Sequence, residues 1–186
     1  MEESKLDKKQ IVEAALALLQ EEGIEKLSMR KLAARLAIRA PTLYWYFPDR
    51  SSILREVIKS LIVAMVERTP QRSSWQGWLK AFGTTLWATN RNMPYAMLLL
   101  QSAELNDESV VELATNLVEQ QRRHYDVDRE IFHRAYSDIQ AYTLGWSVFH
   151  HSRVWERIDA LYQIDQSIEE GIDGIIHIWE LRAAEK

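Results

Sequence analysis

The chain contains no cysteine. A disulfide framework and a thiolate metal site are both excluded, so packing, hydrogen bonds and charge must hold the fold. No apolar run approaches the roughly 20 residues that cross a bilayer as a helix. The opening Met1-Glu2-Glu3-Ser4-Lys5 is acidic and polar, unlike the basic-then-apolar start of a secretory signal, and a cytoplasmic location is expected. Also missing are an alternating apolar–polar strand run, a tandem repeat and a low-complexity tract. There is no His-Glu-x-x-His, Gly-x-Ser-x-Gly or phosphate-loop pattern, so no catalytic residue and no cofactor is expected. A small all-α enzyme would have to draw on residues such as His133, His150 and Glu104. His150 and His151 are neighbours, and on a helix neighbours point ~100° apart and cannot chelate one ion together. No metal site is expected.

What is present is helix, over 186 residues, enough for one or two domains with a proper core. Asp7 and Gln10 have the spacing of a capping box, with Leu6 placed to staple to Ile11. Ile11, Ala15, Leu18 and Leu19 then follow at helical spacing, and Gly23 suits the residue that closes the helix. Ser28 is a second cap, flanked by Leu27 and Leu32, and opens a short helix at Met29 with Leu32, Ala33 and Leu36 inside. After a break of a few residues, Pro41 sits in the first turn of another short helix, where its missing N–H costs little. Leu43 and Phe47, four apart, face inward; Thr42, Tyr44, Trp45 and Tyr46 are left to face DNA or neighbouring helices. Two short helices across a tight turn make a helix-turn-helix, motif about 28–47, whose second helix fits a DNA major groove.

Net charge is −4, but it is uneven. Between Lys26 and Lys59 stand eight basic residues (Lys26, Arg30, Lys31, Arg35, Arg39, Arg50, Arg55, Lys59) against Asp49 and Glu56. Attraction to phosphate acts over about a Debye length, ~8–10 Å, so this local excess outweighs the total.

Arg30-Lys31-Leu32-Ala33 followed by Pro41-Thr42-Leu43-Tyr44-Trp45-Tyr46-Phe47 resembles the DNA-binding domain of the tetracycline-repressor (TetR) family. The resemblance covers roughly residues 5 to 65. It implies an all-α fold: an N-terminal three-helix helix-turn-helix DNA-binding domain (1–48), a connecting helix (49–68) and a C-terminal helical ligand-binding and dimerisation domain (69–186). Arg30 matches a base-reading position, where arginine can hold guanine O6 and N7. Thr42, Tyr44 and Tyr46 match recognition-helix contacts, and Arg50 a phosphate anchor. Trp45 either packs between helices or rests on the sugar–phosphate backbone. With the cap and the turn, the candidate DNA-binding set is Ser28, Arg30, Arg39, Ala40, Pro41, Thr42, Tyr44, Trp45, Tyr46 and Arg50. The turn departs from the family twice. Ala37 replaces an expected Gly, so a positive φ there costs ~1–2 kcal/mol. Arg39 replaces a capping Ser and caps poorly.

Downstream, Asp49 caps the connecting helix, with Ile53, Val57, Leu61 and Met65 on one face and Leu54, Ile58 and Ile62 beside them. Helices are expected from Trp75 to about Arg91, over Tyr95–Ser102, after Asp107 (burying Val110, Val111, Leu113, Leu117 and Val118), from Asp128 to about Trp155, and from Asp165 onward. Seven tryptophans exceed what a small helical core needs. Aromatic walls with a few polar groups suit flat or lipophilic ligands. The candidate pocket is Trp75, Trp78, Phe82, Trp87, Tyr95, Met97, Gln101, Tyr142, Trp146, Phe149 and His150, although stripes at helical spacing are also how plain core reads. Gly145, Gly171 and Gly174 lie inside long helices at about 1 kcal/mol each against Ala. The resemblance implies that they lie where two helices pair with their copies in a four-helix dimer bundle. Gly145, Ile168, Gly171, Ile172, Gly174 and Ile175 are the candidate interface; packing inside one subunit is the alternative. The expectation is a homodimeric repressor that leaves a palindromic double-stranded DNA operator when a small-molecule effector, lipophilic or aromatic, binds. The rival is a ligand-independent regulator of the same fold.

Overall fold

The computed structural model describes residues 6–93, 99 and 103–185. They fall into two compact units: residues up to 62 with 99 and 103–113, and residues 63–93 with 114–185. Among the described residues every regular element is helical, as the sequence leads one to expect.

In the first unit, α1 (Lys8–Glu22) opens on the full Asp7/Gln10 capping box and closes at Gly23 with φ 84°. A 3-10 turn (Ile24–Lys26) leads to α2 (Met29–Arg35), whose cap Ser28 accepts from the Lys31 amide. The short α3 (Ala40–Tyr44) carries Pro41 in its first turn, and Arg39 gives it no side-chain cap. Between α2 and α3 Ala37 takes φ 54°, so the turn does adopt the left-handed conformation without a glycine. Ile11, Ala15, Leu19, Leu32, Ala33, Leu43 and Phe47 are buried, the core that the helical spacing predicts.

Helix α4 (Arg50–Arg68) is capped by Asp49, whose carboxylate accepts from the Ser52 amide at 2.7 Å. That hydrogen bond holds the Asp49 carboxyl below its ordinary range. Ile53, Leu54, Val57 and Ile58 are buried, whereas Leu61, Ile62 and Met65 are half-buried.

The second unit is built on α5 (Trp75–Arg91), α7 (Arg129–His150) and α9 (Ile164–Ala184), which pack on one another, together with the part of α6 (Glu108–Arg122) from residue 114 on. Their core joins Trp78, Leu79, Phe82, Phe132, Ala135, Ile139, Ile168 and Ile172. Three expectations change here. Val111 is exposed rather than buried, because the buried stripe of α6 runs through Val110 and Val118. The helix from Asp128 stops at His150, not near Trp155. There Ser152 turns its hydroxyl onto the Phe149 carbonyl and His151 Nε2 lies 2.9 Å from the Asn90 carbonyl, which takes the chain out of the helix. A separate short helix, α8 (Trp155–Tyr162), follows, closed by Gln163 at φ 47°. The helix expected over Tyr95–Ser102 lies outside the described residues except for Leu99, which is buried.

Candidate nucleic-acid interface and helical-domain cleft

The outward side of the helix-turn-helix is set by what its inward side must do. Leu32, Ala33, Leu43 and Phe47 occupy the core, so Arg30, Arg39, Pro41, Thr42, Tyr44 and Trp45 face out, while Ala40 is half-buried. Trp45 is 89% exposed, so it does not pack between helices of this unit. Large apolar surface at this exposure, beside Tyr44 and next to arginines, marks a contact surface.

Two candidates are spent on the fold itself. Tyr46 donates its hydroxyl to the Leu6 carbonyl at 2.7 Å, tying the end of α3 to the start of α1. Arg50 donates from Nε to the Leu27 carbonyl at 2.9 Å and from Nη2 to the Ile24 carbonyl at 2.8 Å, clamping the turn between α1 and α2. Nothing in the local sequence marks either role, since both partners are backbone atoms distant along the chain.

The cationic count also changes in three dimensions. Arg35 forms a two-pronged pair with Glu21, at 2.6 Å for both bonds, and Lys31 pairs with Glu22. The guanidinium of Arg35 holds the Glu21 carboxyl below its usual range. Arg55 pairs with Asp107 at 3.5 Å, and Lys59 with Glu56. Glu21, Glu22 and Asp107 lie outside the stretch whose charges were counted. Lys26, Arg30 and Arg39 are left without a carboxylate partner among the described residues.

In the second unit most of the predicted pocket aromatics are core. Trp78 stacks on Phe82 (5.6 Å) and Phe132 (5.8 Å), and Phe82 meets Tyr136 at 4.6 Å. Burial pushes the Tyr136 hydroxyl up to about 12. Trp75 is buried in the same cluster. Trp87 is buried and donates its indole N–H to Asp165 at 2.9 Å. Tyr142 donates to the Ser167 carbonyl, and Trp146 lies edge-on to it. His150 is wedged against Trp155 and Trp87, and burial, with His151 and Arg91 nearby, lowers its pKa. Phe149 is exposed. Tyr95, Met97 and Gln101 lie outside the described residues.

The cleft lies elsewhere: about 390 Å³, lined by Arg68, Thr84, Thr85, Ala88, Thr89, Asn92 and Met93. None of the eight described pocket candidates lines it. The signal for it was in the sequence as a run of small and polar residues toward the C-terminal end of α5, at 84, 85, 88, 89 and 92, where Thr85, seven residues after Trp78, continues that tryptophan's line along the helix.

The candidate interface divides. Ile168 and Ile172 are fully buried in their own subunit and Ile175 packs against that core. A Cβ on Gly171 would lie 2.1 Å from the Tyr142 hydroxyl, so that glycine serves packing inside the subunit. Added Cβ atoms on Gly145 and Gly174 would meet nothing. Gly145 shares a face of α7 with exposed Val148 and Phe149, and Gly174 one of α9 with exposed Ile178 and Leu181.

No group of metal-ligating side chains occurs among the described residues, and none of their helices is long and apolar enough to cross a membrane. His133 Nε2 lies 2.9 Å from Glu119. It is some 25 Å along α7 from His150, so the two do not form one centre.

Residues 11–57 match the family of bacterial regulatory proteins described as tetR. The tetracycline repressor protein class G of Vibrio anguillarum is 34% identical over 79 residues, 41% of this chain and 38% of that protein. The chain thus spans well under half the length of this curated relative. Among solved structures, a TetR variant of Acinetobacter baumannii AYE in complex with minocycline superposes with a TM-score of 0.71 at 21% identity, over 96% of this chain and 95% of that one. BioQ with its double-stranded DNA operator gives 0.61 at 25% identity, over 91% and 99%. The short helices, the exposed aromatic-and-arginine face and the matched segment agree: residues 11–57 are similar to the tetR family of bacterial regulatory proteins, and the chain shares the fold of the solved TetR structures.

Proposed function

We propose that the protein is a homodimeric transcriptional repressor that binds a palindromic DNA operator and releases it when a small molecule occupies the helical domain. Residues 1–48 form the reading head, 49–68 the connecting helix and 69–186 the ligand and dimerisation domain. It is not an enzyme. The observation that carries this is the outward face of α3: Arg39, Thr42, Tyr44 and Trp45 are exposed together on a helix whose other side is fixed in a core. Arg30 and Lys26 add unpaired charge beside it. The solved BioQ–operator complex and the minocycline-bound TetR variant support the two kinds of partner.

A dimer follows from the geometry of DNA, because one head covers a half-site and two must stand about one helical turn, ~34–36 Å, apart. The open faces around Gly145 and Gly174 are where the copies meet. Each glycine costs its helix about 1 kcal/mol and no contact inside the subunit requires it. A ligand shifts the protein off DNA only by its difference in affinity for the two arrangements of the heads.

The test is a salt-controlled gel shift on palindromic fragments flanking the protein's own gene. Three free cations per head give a slope of log affinity on log salt of about −5 for a dimer. Tyr44→Ala should weaken binding at least about tenfold, roughly 1.4 kcal/mol, with helicity unchanged. A full-length protein that ignores such DNA at low ionic strength overturns the proposal.

A further inference from the structure

We infer that the cleft on α5 takes a small organic acid, its carboxylate on Arg68 and its polar substituents on Thr85 and Thr89. This rests on the ligand-controlled reading above and changes the chemistry expected of the ligand: an anion with hydroxyl or keto groups, not a neutral lipophile.

Four observations carry it. First, among the described rings that would have formed a lipophilic site, Trp75, Trp78, Phe82, Trp87 and Tyr142 are spent on packing in the core or on bonds to Asp165 and Ser167. Second, the cleft of about 390 Å³ lies in the size range of small-molecule sites. It exists because the C-terminal half of α5 presents Thr84, Thr85, Ala88 and Thr89 there, where the N-terminal half carries the larger Trp78, Leu79 and Phe82. Three threonines in a single helix are poor helix formers, and half-buried ones gain little from water in return.

Third, the polar groups are available. The Thr84 hydroxyl donates to the Lys80 and Ala81 carbonyls, which leaves its oxygen an acceptor. Thr85 and Thr89 have no hydrogen-bond partner among the described residues, so each can both donate and accept. Fourth, Arg68, an exposed residue at the end of α4 and on the rim of the cleft, has no carboxylate partner among the described residues, whereas Arg91, Arg122 and Lys80 of the same unit each have one. A planar guanidinium on the rim of a cleft with hydroxyls beside it is suited to hold a carboxylate through two parallel bonds.

The experiment uses the full-length protein and matched pairs of an acid and its neutral amide: benzoate and benzamide, salicylate and salicylamide, 3-phenylpropionate and its amide. Melting temperature and calorimetric affinity are measured for wild type, Arg68→Gln, Thr85→Val and Arg72→Gln. Arg72 is exposed outside the cleft and controls for non-specific anion binding. At least one acid should stabilise the wild type while its amide binds about tenfold more weakly, a difference that Arg68→Gln removes and Arg72→Gln leaves. Thr85→Val should weaken the hydroxylated acid more than benzoate. The inference falls if no acid outbinds its amide, if Arg68→Gln binds as wild type does, or if Arg72→Gln loses as much. Operator binding without ligand, measured on the same samples, decides the DNA-binding proposal separately.

Discussion

The two units of this protein reach stability by different routes. The first is held by its chain ends: Asp7 with Gln10, Ser28, Asp49 with Ser52, and the Arg50 clamp all close backbone groups that a helix leaves open. Its α2 and α3, of 7 and 5 residues, are too short to stand alone, so the cap and the turn decide where they begin. The second unit is held across its helices. Isoleucines and aromatic rings fill it, and single polar bonds such as Trp179 to Asp138, Trp87 to Asp165 and Asn90 to Ser147 pin one helix to another. Neither α8 nor α9 has a side-chain cap. The difference suits the proposed function, in which the first unit reads DNA through fixed local geometry and the second answers a ligand through helices packed on one another as bodies.

The sharpest way to break the comparison is to fill the glycines of the second unit. A Cβ on Gly83 would lie 2.7 Å from Ile172 and 2.8 Å from Ile139, at the meeting of α5, α7 and α9. Gly83→Ala should cost about 3 kcal/mol in chemical denaturation. Gly171→Ala should displace Tyr142 from Ser167 and cost nearly as much. Gly145→Ala and Gly174→Ala should instead leave the subunit's stability the same or higher by about 1 kcal/mol, and weaken self-association in sedimentation.

In the first unit, Arg50→Ala removes two charge-assisted bonds to backbone carbonyls and should cost about 2 kcal/mol. Its melting transition should fall while that of the second unit stays in place. A smaller effect of opposite sign is expected at the turn: Ala37→Gly relieves the φ of 54° and should stabilise by up to about 1 kcal/mol, offset in part by the freer unfolded chain.

The smallest effect is one of acidity. Glu119 accepts from Arg122 and lies against His133, and these partners, Arg122 first, pull its carboxyl from 4.5 to about 2. A lowered carboxyl pKa stabilises the fold above about pH 4.5, and that contribution drains away as pH falls toward 2. The gap in melting temperature between wild type and Glu119→Gln should therefore be widest near neutrality and close toward pH 2.

Much of the first unit was legible because its signals are local. The capping box, Ser28, Pro41, Gly23 and the Leu43–Phe47 spacing each act within four residues of themselves, and all appear where expected. Arg50 and Tyr46 were not, because their partners are carbonyls more than twenty residues away. The same limit applied to charge, since Glu21 and Glu22 neutralise cations that looked free in the stretch after them. In the second unit a stripe of aromatics reads alike whether it lines a pocket or fills a core. Gly83, hemmed in by Ile172 and Ile139, drew no notice, while Gly145 and Gly174, which touch nothing in the subunit, did.

By itself the sequence determined that the chain is helical, where the reading helices start, and which residues of the second one point away from its core. Short-range hydrogen bonding and the 3.6-residue period are enough for that. Tertiary structure alone decided which cations remain unpaired, which aromatics are spent on packing, and that the open cleft lies by the threonines of α5. Those outcomes depend on atoms brought together from distant parts of the chain, and no local pattern encodes that meeting.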